Sequence, residues 1–465
     1  MSFKSIFFYI SFFCLSVSIL AFINILYSAY FDYYLNIESY FITLFSALII
    51  GLGLYFYGKK ANRKINFISQ LILIILVYFI VGFFISIPFY LSNDEISFLN
   101  SFFEAISGLT GTGFSIFENI KYIDPTLILW RSSSQWIGGL FFLVFIIIFF
   151  SNKFFDYKMT QLTYSGENKF ISKENIKNNI LKLFIFYSIL SFIFFIFLSF
   201  SGVRLFNALN LSMTLISGGG FLPTESLGNI ITNNFQKIVF TLVLTLSMLN
   251  FYLIFNLFNK KVLLKDHKED FYLILVSIIF ILLISLNYSD KLNLIMSVIS
   301  SLANSGLTLV KSDNNLSLYF LLITIIGGSL ISNSSGIKLA RFYILLKITS
   351  SEIIKLISPN TVINNTIFST ENKITDEKVK ISFFIFISFF LSLFILSSIL
   401  IIDSIGFERS FKMSILALTN TVNSEMYSIK DFDFKNLLTS SKISLIIFMI
   451  IGKIELISIF LIFKK

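Results

Sequence analysis

The chain has 465 residues, of which 56% are hydrophobic and 13% charged, with a mean hydropathy of +0.85 and a formal net charge of +10. A soluble domain carries roughly twice that share of charge, so the composition excludes an ordinary water-soluble enzyme and reads as one membrane unit without a second, soluble domain. The positive balance does not read as nucleic-acid binding, because the basic residues are spread over short connections between apolar runs.

Crossing about 30 Å of hydrocarbon takes about 20 apolar residues. Ten such runs are predicted, near 5–30, 37–57, 66–92, 128–151, 181–201, 236–258, 271–287, 316–346, 381–403 and 441–463. The first reads as a span rather than a secretory leader: it is long, has no clear small-residue cleavage site and is followed by further spans. Cys14 lies within it as a lone thiol with no internal disulfide partner, lipid-facing or packed. Lys59, Lys60, Arg63 and Lys64 follow the second run, and Lys153, Lys158, Lys169, Lys173 and Lys177 the fourth. Lys260, Lys261, Lys265 and Lys268 follow the sixth, Arg341, Lys347, Lys355, Lys373 and Lys378 the eighth, and the chain ends Lys464-Lys465. With ten spans, these connections and both termini share one side, which the positive-inside rule makes cytoplasmic. The opposite connections carry Asp94, Glu95, Glu104, Glu118 and Asp124, and later Asp403, Glu408, Glu425, Asp431 and Asp433. His267 sits among Lys265, Asp266 and Lys268 and reads as a solvated loop residue.

Four of the outer segments begin with an apolar stretch too short to span, at 98–109, 205–216, 292–302 and 411–418, and then meet Gly, Ser, Thr or Asn. Such a stretch suits a re-entrant half-helix. The unit span, half-helix, polar loop, span therefore occurs four times after two extra N-terminal spans. The predicted organisation is residues 1–60 for the extra spans, then 61–155, 175–260, 266–350 and 378–465 for the four repeats, in an all-α polytopic fold around a pseudo-four-fold pore.

The loops carry the candidate chemistry. The first contains Thr110, Gly111, Thr112 and Gly113; the second Ser217, Gly218, Gly219 and Gly220; the third Asn304, Ser305 and Gly306; the fourth Asn420, Thr421, Val422 and Asn423. Non-helical backbone at membrane depth is tolerated only where it is buried or lines a wet path. Carbonyl oxygens turned inward replace the water shell of a cation, and turning them forces positive φ at residues that glycine occupies without steric cost. The half-helix C-termini, each carrying roughly half a negative charge, then point at the cation. The plainer reading of these glycines is helix packing; their recurrence in three loops, each after a half-helix and between spans, favours the path. The fourth loop lacks the glycine. Asn423 is the preferred occupant of that position, because Asn tolerates left-handed φ better than a β-branched residue; a one-residue shift would place Val422 there.

The run Phe103-Glu104-Ala105-Ile106-Ser107-Gly108-Leu109-Thr110-Gly111-Thr112-Gly113-Phe114-Ser115 resembles the first pore loop of the TrkH/KtrB/HKT superfamily of cation transporters. Trp130-Arg131-Ser132-Ser133-Ser134-Gln135-Trp136-Ile137-Gly138-Gly139 resembles that family's W-R-x-x-x-Q-W-x-G-G signature. The stretch Gly327-Gly328-Ser329-Leu330-Ile331-Ser332-Asn333-Ser334-Ser335-Gly336-Ile337-Lys338 resembles its broken-helix gate, with Ile331, Asn333 and Ser335 where Gly, Thr and Gly are usual. Gly452-Lys453-Ile454-Glu455 resembles its G-R-x-E, with Lys453 in place of Arg. The two extra N-terminal spans resemble the TrkH branch. The resemblance implies potassium uptake through a filter of backbone carbonyls, with a gate formed by Gly327, Gly328, Ser329, Ser332, Asn333, Ser334, Ser335, Gly336 and Lys453. It also implies a homodimer in the lipid of the inner membrane and a TrkA-type cytoplasmic nucleotide-binding subunit. Potassium is then substrate, and no cofactor is expected on this chain. Lys453 reads as an electrostatic barrier below the filter, as one half of an intramembrane pair with Glu455, or as a snorkelling side chain; the i, i+2 spacing does not let Lys453 and Glu455 meet on one helix face.

Two other functions are weighed. A sodium-permeable relative of the same fold is favoured by the altered fourth loop; the resemblance implies that Gly113 disfavours it, because Ser at that position goes with sodium selectivity in the family. A membrane enzyme needs a cluster of polar catalytic residues, and the sequence offers no zinc cluster, Walker loop, dinucleotide fingerprint or hydrolase elbow.

Overall fold

The computed structural model describes residues 3–454 apart from 62–64, 66, 93–95, 118, 151–175, 259–266, 287, 311–313, 360–364, 370–372 and 430–431. Arg63, Lys64, Lys153, Lys158, Lys169, Lys173, Lys260, Lys261 and Lys265 lie outside the described residues. So do Asp94, Glu95, Glu118, Asp431, Glu455, Lys464 and Lys465.

Among the described residues the chain is α-helical, with one isolated bridge between Thr366 and Lys373. Helices α1 (Phe3–Tyr30) and α2 (Ile37–Gly58) form a hairpin that packs on α3 (Phe67–Leu91), and α1 also reaches α5 (Pro125–Phe150). In α1 the polar residues Ser5, Ser11, Ser18, Asn24 and Ser28 are buried while Phe12, Ile19, Phe22 and Leu26 are exposed. This inside-out stripe suits lipid, and several of the inward polar groups donate to carbonyls of their own helix: Ser11 Oγ to Phe8 O at 2.5 Å, Ser18 Oγ to Leu15 O at 2.7 Å and Asn24 Nδ2 to Leu20 O at 3.1 Å.

The rest of the chain repeats one unit four times. The first repeat is α3, the half-helix α4 (Phe98–Thr110) and α5. The second is α6 (Ile176–Phe200), α7 (Leu205–Ile216) and a helix split into α8 (Asn234–Met248) and α9 (Phe251–Phe258). The third is α10 (Lys268–Ser285), α11 (Lys291–Leu302) and a second broken helix, α12 (Asn314–Ile326) and α13 (Leu339–Ile357). The fourth is α14 (Asp376–Ile402), α15 (Phe407–Leu418) and α16 (Thr439–Ile454). Each half-helix has 12 or 13 residues. At 1.5 Å per residue that is about 18–20 Å, so each stops part-way through the hydrocarbon.

The run 236–258, expected as one span, is broken at Leu249 and Asn250, where neither Pro nor Gly is present. Tertiary contacts replace the helical ladder there. Asn250 N–H donates to Asp270 Oδ1 at 2.8 Å, Phe251 N–H to Ile331 O at 2.9 Å, and Met248 O accepts from Ser329 N–H at 3.1 Å. A local sequence signal for this break is absent because its partners lie in the next repeat.

The first repeat is held by a buried ion pair. Arg131 Nε lies 2.8 Å from Glu104 Oε1, both side chains at 1% exposure or less. Glu104 also accepts from Ile116 N–H at 2.8 Å and Ser115 Oγ at 3.1 Å, and Arg131 Nη2 donates to Ser115 Oγ at 2.9 Å. Half-helix, ascending loop and α5 are thereby tied at one point. Removing one partner strands the other charge in a dry site. Glu104→Ala is expected to lose on the order of 3–5 kcal/mol of stability, read as a lowered melting temperature of the purified protein in detergent.

Candidate functional site

The four half-helices end in the same backbone pattern, which sets the register of the loops. Thr112 N–H donates to Ser107 O at 3.0 Å, Gly219 N–H to Thr214 O at 2.9 Å, Ser305 N–H to Ser300 O at 3.1 Å and Thr421 N–H to Leu416 O at 2.9 Å. The residue before each donor is left-handed: Gly111 at φ 77°, Gly218 at 67°, Asn304 at 57° and Asn420 at 49°. Two loops use glycine there and two use asparagine, the side chain that best tolerates this region. Hydroxyl pairs tie three of the loops back to their half-helices: Thr110 with Thr112 at 2.7 Å, Ser300 with Ser305 at 2.9 Å and Thr419 with Thr421 at 3.0 Å. Ser217 Oγ instead donates to Thr214 O at 2.8 Å.

This register places Gly113, Gly220, Gly306 and Val422 in equivalent positions. The preference for Asn423 is therefore corrected. Asn did take a left-handed position in the fourth loop, but at Asn420, three residues earlier. Asn423 lies one residue beyond the ring position, with its amide donating to Ile429 O at 3.3 Å. Gly113 and Gly306 are left-handed, at 83° and 71°, whereas Gly220 and Val422 are not.

The loops form a closed ring in the order first, second, third, fourth. A Cβ on Gly111 would stand 3.6 Å from Ser217 O, and one on Gly218 would stand 3.4 Å from Ala303 O. Asn304 Nδ2 donates to Thr421 Oγ1 at 3.3 Å, and Asn420 Nδ2 to Thr112 Oγ1 at 3.0 Å. On one side of the ring, Gly113, Gly220, Gly306 and Val422 line the floor of a cavity of about 640 Å³, with Glu225, Glu425 and Asp433 among its walls.

On the other side lies the segment 327–338, which breaks the third repeat's inner helix. Gly327 (φ 70°) and Gly336 (φ 84°) turn the chain in and out. A Cβ on Gly336 would stand 2.9 Å from Ile325 O. Ser329, Ser332, Asn333, Ser334 and Ser335 are all buried. Gly328 N–H donates to Ser334 Oγ at 3.1 Å and Leu330 N–H to Glu269 Oε1 at 2.9 Å. Asn333 Nδ2 donates to Ile216 O, the end of the second half-helix, at 2.7 Å, and Ser335 Oγ donates to Asn420 Oδ1 at 2.9 Å. Lys453 Nζ donates to Asn333 O at 2.8 Å and lies 5.0 Å from the Phe142 ring centroid. Lys338 Nζ donates to Ser332 O at 3.3 Å and to Ser334 O. Two ammonium groups thus cap three successive carbonyls of this segment. Glu455, the other candidate partner of Lys453, is outside the described residues.

The comparisons with known proteins agree with this architecture. The family model TrkH, described as a cation transport protein, matches residues 36–315. The chain belongs to the TrkH family of cation transport proteins. An uncharacterized cation transporter of Methanocaldococcus jannaschii is 28% identical over 344 residues, 69% of each chain. The Trk system potassium uptake protein TrkG of Escherichia coli is 25% identical over 459 residues, 91% of this chain and 90% of its own. The crystal structure of the potassium transporter TrkH from Vibrio parahaemolyticus shares the fold, with a TM-score of 0.86, 19% identity and coverage of 99% of this chain and 98% of that one.

Within this TrkH-family chain, the Trp130–Gly139 motif has a legible job. Trp130 Nε1 donates to Ile85 O at 3.0 Å and Trp136 Nε1 to Ser191 Oγ at 2.8 Å, bracing α5 on both flanks. Gln135 Oε1 accepts from Phe221 N–H at 3.2 Å, and the Arg131 guanidinium lies 4.2 Å from the Phe221 ring centroid, so both hold the second loop. A Cβ on Gly138 would stand 2.7 Å from the Leu109 carbonyl carbon, and one on Gly139 would stand 2.9 Å from Ser217 Cα. Gly452 is the fourth repeat's counterpart: its Cβ would stand 2.9 Å from the Leu418 carbonyl carbon.

Several residues of the site went unread in the sequence. Glu269 and Asp270 appear there only within a charged stretch, yet they hold Leu330 and Asn250. The usable signal was a pair of acids at the start of an apolar run. His267 is corrected from solvated to buried, at 5% exposure, with Nδ1 3.8 Å from Asp270 Oδ2. Lys338 was visible as part of a motif, but its carbonyl cap depends on the loop's fold.

The glycine contacts predict which substitutions hurt. Gly138→Ala pushes a methyl into the end of α4 and is expected to cost about 1–3 kcal/mol, read as reduced yield and melting temperature in detergent. Gly53→Ala is expected to change neither, because nothing lies within 4 Å of its Cβ position.

Proposed function

We propose that this chain carries potassium across the inner membrane along the axis enclosed by the four loops. The observation that supports this reading most is the shared register of four half-helix ends around one ring. Four C-termini, each with roughly half a negative charge, then converge on one point without placing a fixed anion there. A cation of modest charge is held by such dipoles and by loop carbonyls, which stand in for its water shell. The contributing segments are Thr110–Gly113, Ser217–Gly220, Asn304–Gly306 and Asn420–Val422. In this reading the segment 327–338 is the gate. It lies under the ring, bound to the second half-helix through Asn333 and to α16 through Lys453. The ammonium of Lys453 adds a barrier to cations below the ring. The path involves no covalent step and no bound cofactor. Relatives named as Trk system potassium uptake proteins, TrkG of Escherichia coli among them, support a place in a potassium uptake system. The proposal further includes a homodimer in the lipid bilayer and a TrkA-type cytoplasmic nucleotide-binding subunit, and both termini in the cytoplasm, the last supported by the basic residues of the connections on that side.

A second reading, a sodium-permeable or poorly selective transporter of the same fold, is favoured by one observation. The fourth ring position holds Val422 rather than glycine.

Expression in a potassium-uptake-deficient strain is expected to restore growth at limiting potassium and to support Rb⁺ uptake. Gly113→Asp is expected to abolish both at unchanged membrane abundance. Sodium flux exceeding potassium flux would replace the first reading by the second, and activity surviving in Gly113→Asp would overturn the shared path.

A further inference from the structure

The side chain at the fourth ring position does more than replace a glycine. A Cβ placed on Gly113 would stand 3.1 Å from Val422 Cβ, and one placed on Gly306 would stand 2.9 Å from Val422 Cγ1. These two glycines belong to the loops on either side of the fourth. A Cβ on Gly220 would collide with Val422 Cβ and stand 2.8 Å from Val422 Cγ1. Gly220 belongs to the second loop, which the ring order places opposite the fourth. One isopropyl group therefore faces the α-carbons of all three other loops at one level. At that level the opposite loops leave no room even for an added methyl, and so none for a potassium ion with its oxygen ligands.

Two further features fit a plug rather than a packing residue. Val422 is only partly buried and lines the cavity floor together with Gly113, Gly220 and Gly306, so its outer side faces the vestibule. Its backbone is outside the left-handed region that Gly113 and Gly306 adopt. A β-branched residue disfavours that region, so the fourth loop cannot readily take the backbone turn of its neighbours.

We infer that Val422 is an apolar plug at the vestibule end of the ring, and that its displacement limits cation passage through this chain. The inference rests on the transport path proposed above. An apolar constriction excludes ions by refusing them hydration and ligands, without needing any charge.

The test uses the full-length chain in proteoliposomes, with Rb⁺ uptake driven by an imposed membrane potential. Val422→Gly is expected to raise the rate several-fold over the unsubstituted chain, and Val422→Ala by a smaller factor. Val422→Cys offers a second readout. The native Cys14 is buried, so a membrane-impermeant thiol reagent added from the vestibule side is expected to react at position 422 and stop uptake. Unchanged or lower rates in both the Gly and Ala variants, at normal yield and melting temperature, would overturn the plug while leaving transport standing. A Cys variant that labels fully yet keeps its rate would do the same. No cation uptake by the unsubstituted chain or by any variant would overturn the transport path, and the plug with it.

Discussion

The architecture depends on one constraint: four helices stop inside the membrane, and their exposed backbone ends must be satisfied by protein. Hydrocarbon offers no hydrogen bonds, and each unmet N–H or C=O there costs several kcal/mol. Each half-helix therefore ends in a left-handed residue whose successor folds back onto the helix's last turn, as at Asn420 and Thr421. That closure turns the chain sharply and sends it up again toward the surface. The glycines Gly138 and Gly452 let the inner helices press directly on the half-helix ends. Bulk at those two points would separate the loops and open the ring.

The ring is not symmetric, and its asymmetry is concentrated on one side. Only the second and third repeats have broken inner helices among the described residues, and the two breaks meet. Ser329 donates to Met248 O, and Phe251 donates to Ile331 O, so each break supplies the partners that the other one lacks. Glu269 and Asp270 supply the remaining acceptors. A helix break in lipid is costly alone and cheap in a matched pair. The segment 327–338 is consequently bonded to residues of the second, third and fourth repeats at once. Of the two lysines that cap its carbonyls, Lys453 lies beside the end of the first half-helix, 3.8 Å from where a Cβ on Gly111 would stand, so the dipole there favours its charge.

The first and second loops are held by long side chains from α5, Arg131 and Gln135, and by the aromatic face of Phe221. The third and fourth loops are held differently. Asn304 and Asn420 combine the left-handed turn with amides that bridge to the neighbouring loop and to the helix behind. Glycine gives the turn alone. This second use of asparagine explains why two of the four turns carry it without loss of register.

Much of this was legible in the chain itself. The apolar run lengths, the short amphipathic stretches that cannot span, and their four-fold recurrence follow from hydrophobic period and bilayer thickness. So does the placement of Gly111, Gly113, Gly218 and Gly306 in mid-membrane turns, because left-handed backbone restricts residue choice locally. The tertiary structure alone decided three things. It set the register of the fourth loop, because only the fold-back bond from Thr421 to Leu416 shows that Val422, not Asn423, meets the other three loops. It broke the sixth run at Asn250, since the competing hydrogen bonds come from residues 20 and more positions away. It buried His267, which a local reading of charge leaves in solvent, together with Glu269 and Asp270. At Asn250 the residue's own neighbours in sequence permit a continuous helix, and partners from the next repeat offer a better arrangement; at Thr421 and His267 the deciding contacts are close in sequence, but only the folded turn brings them together.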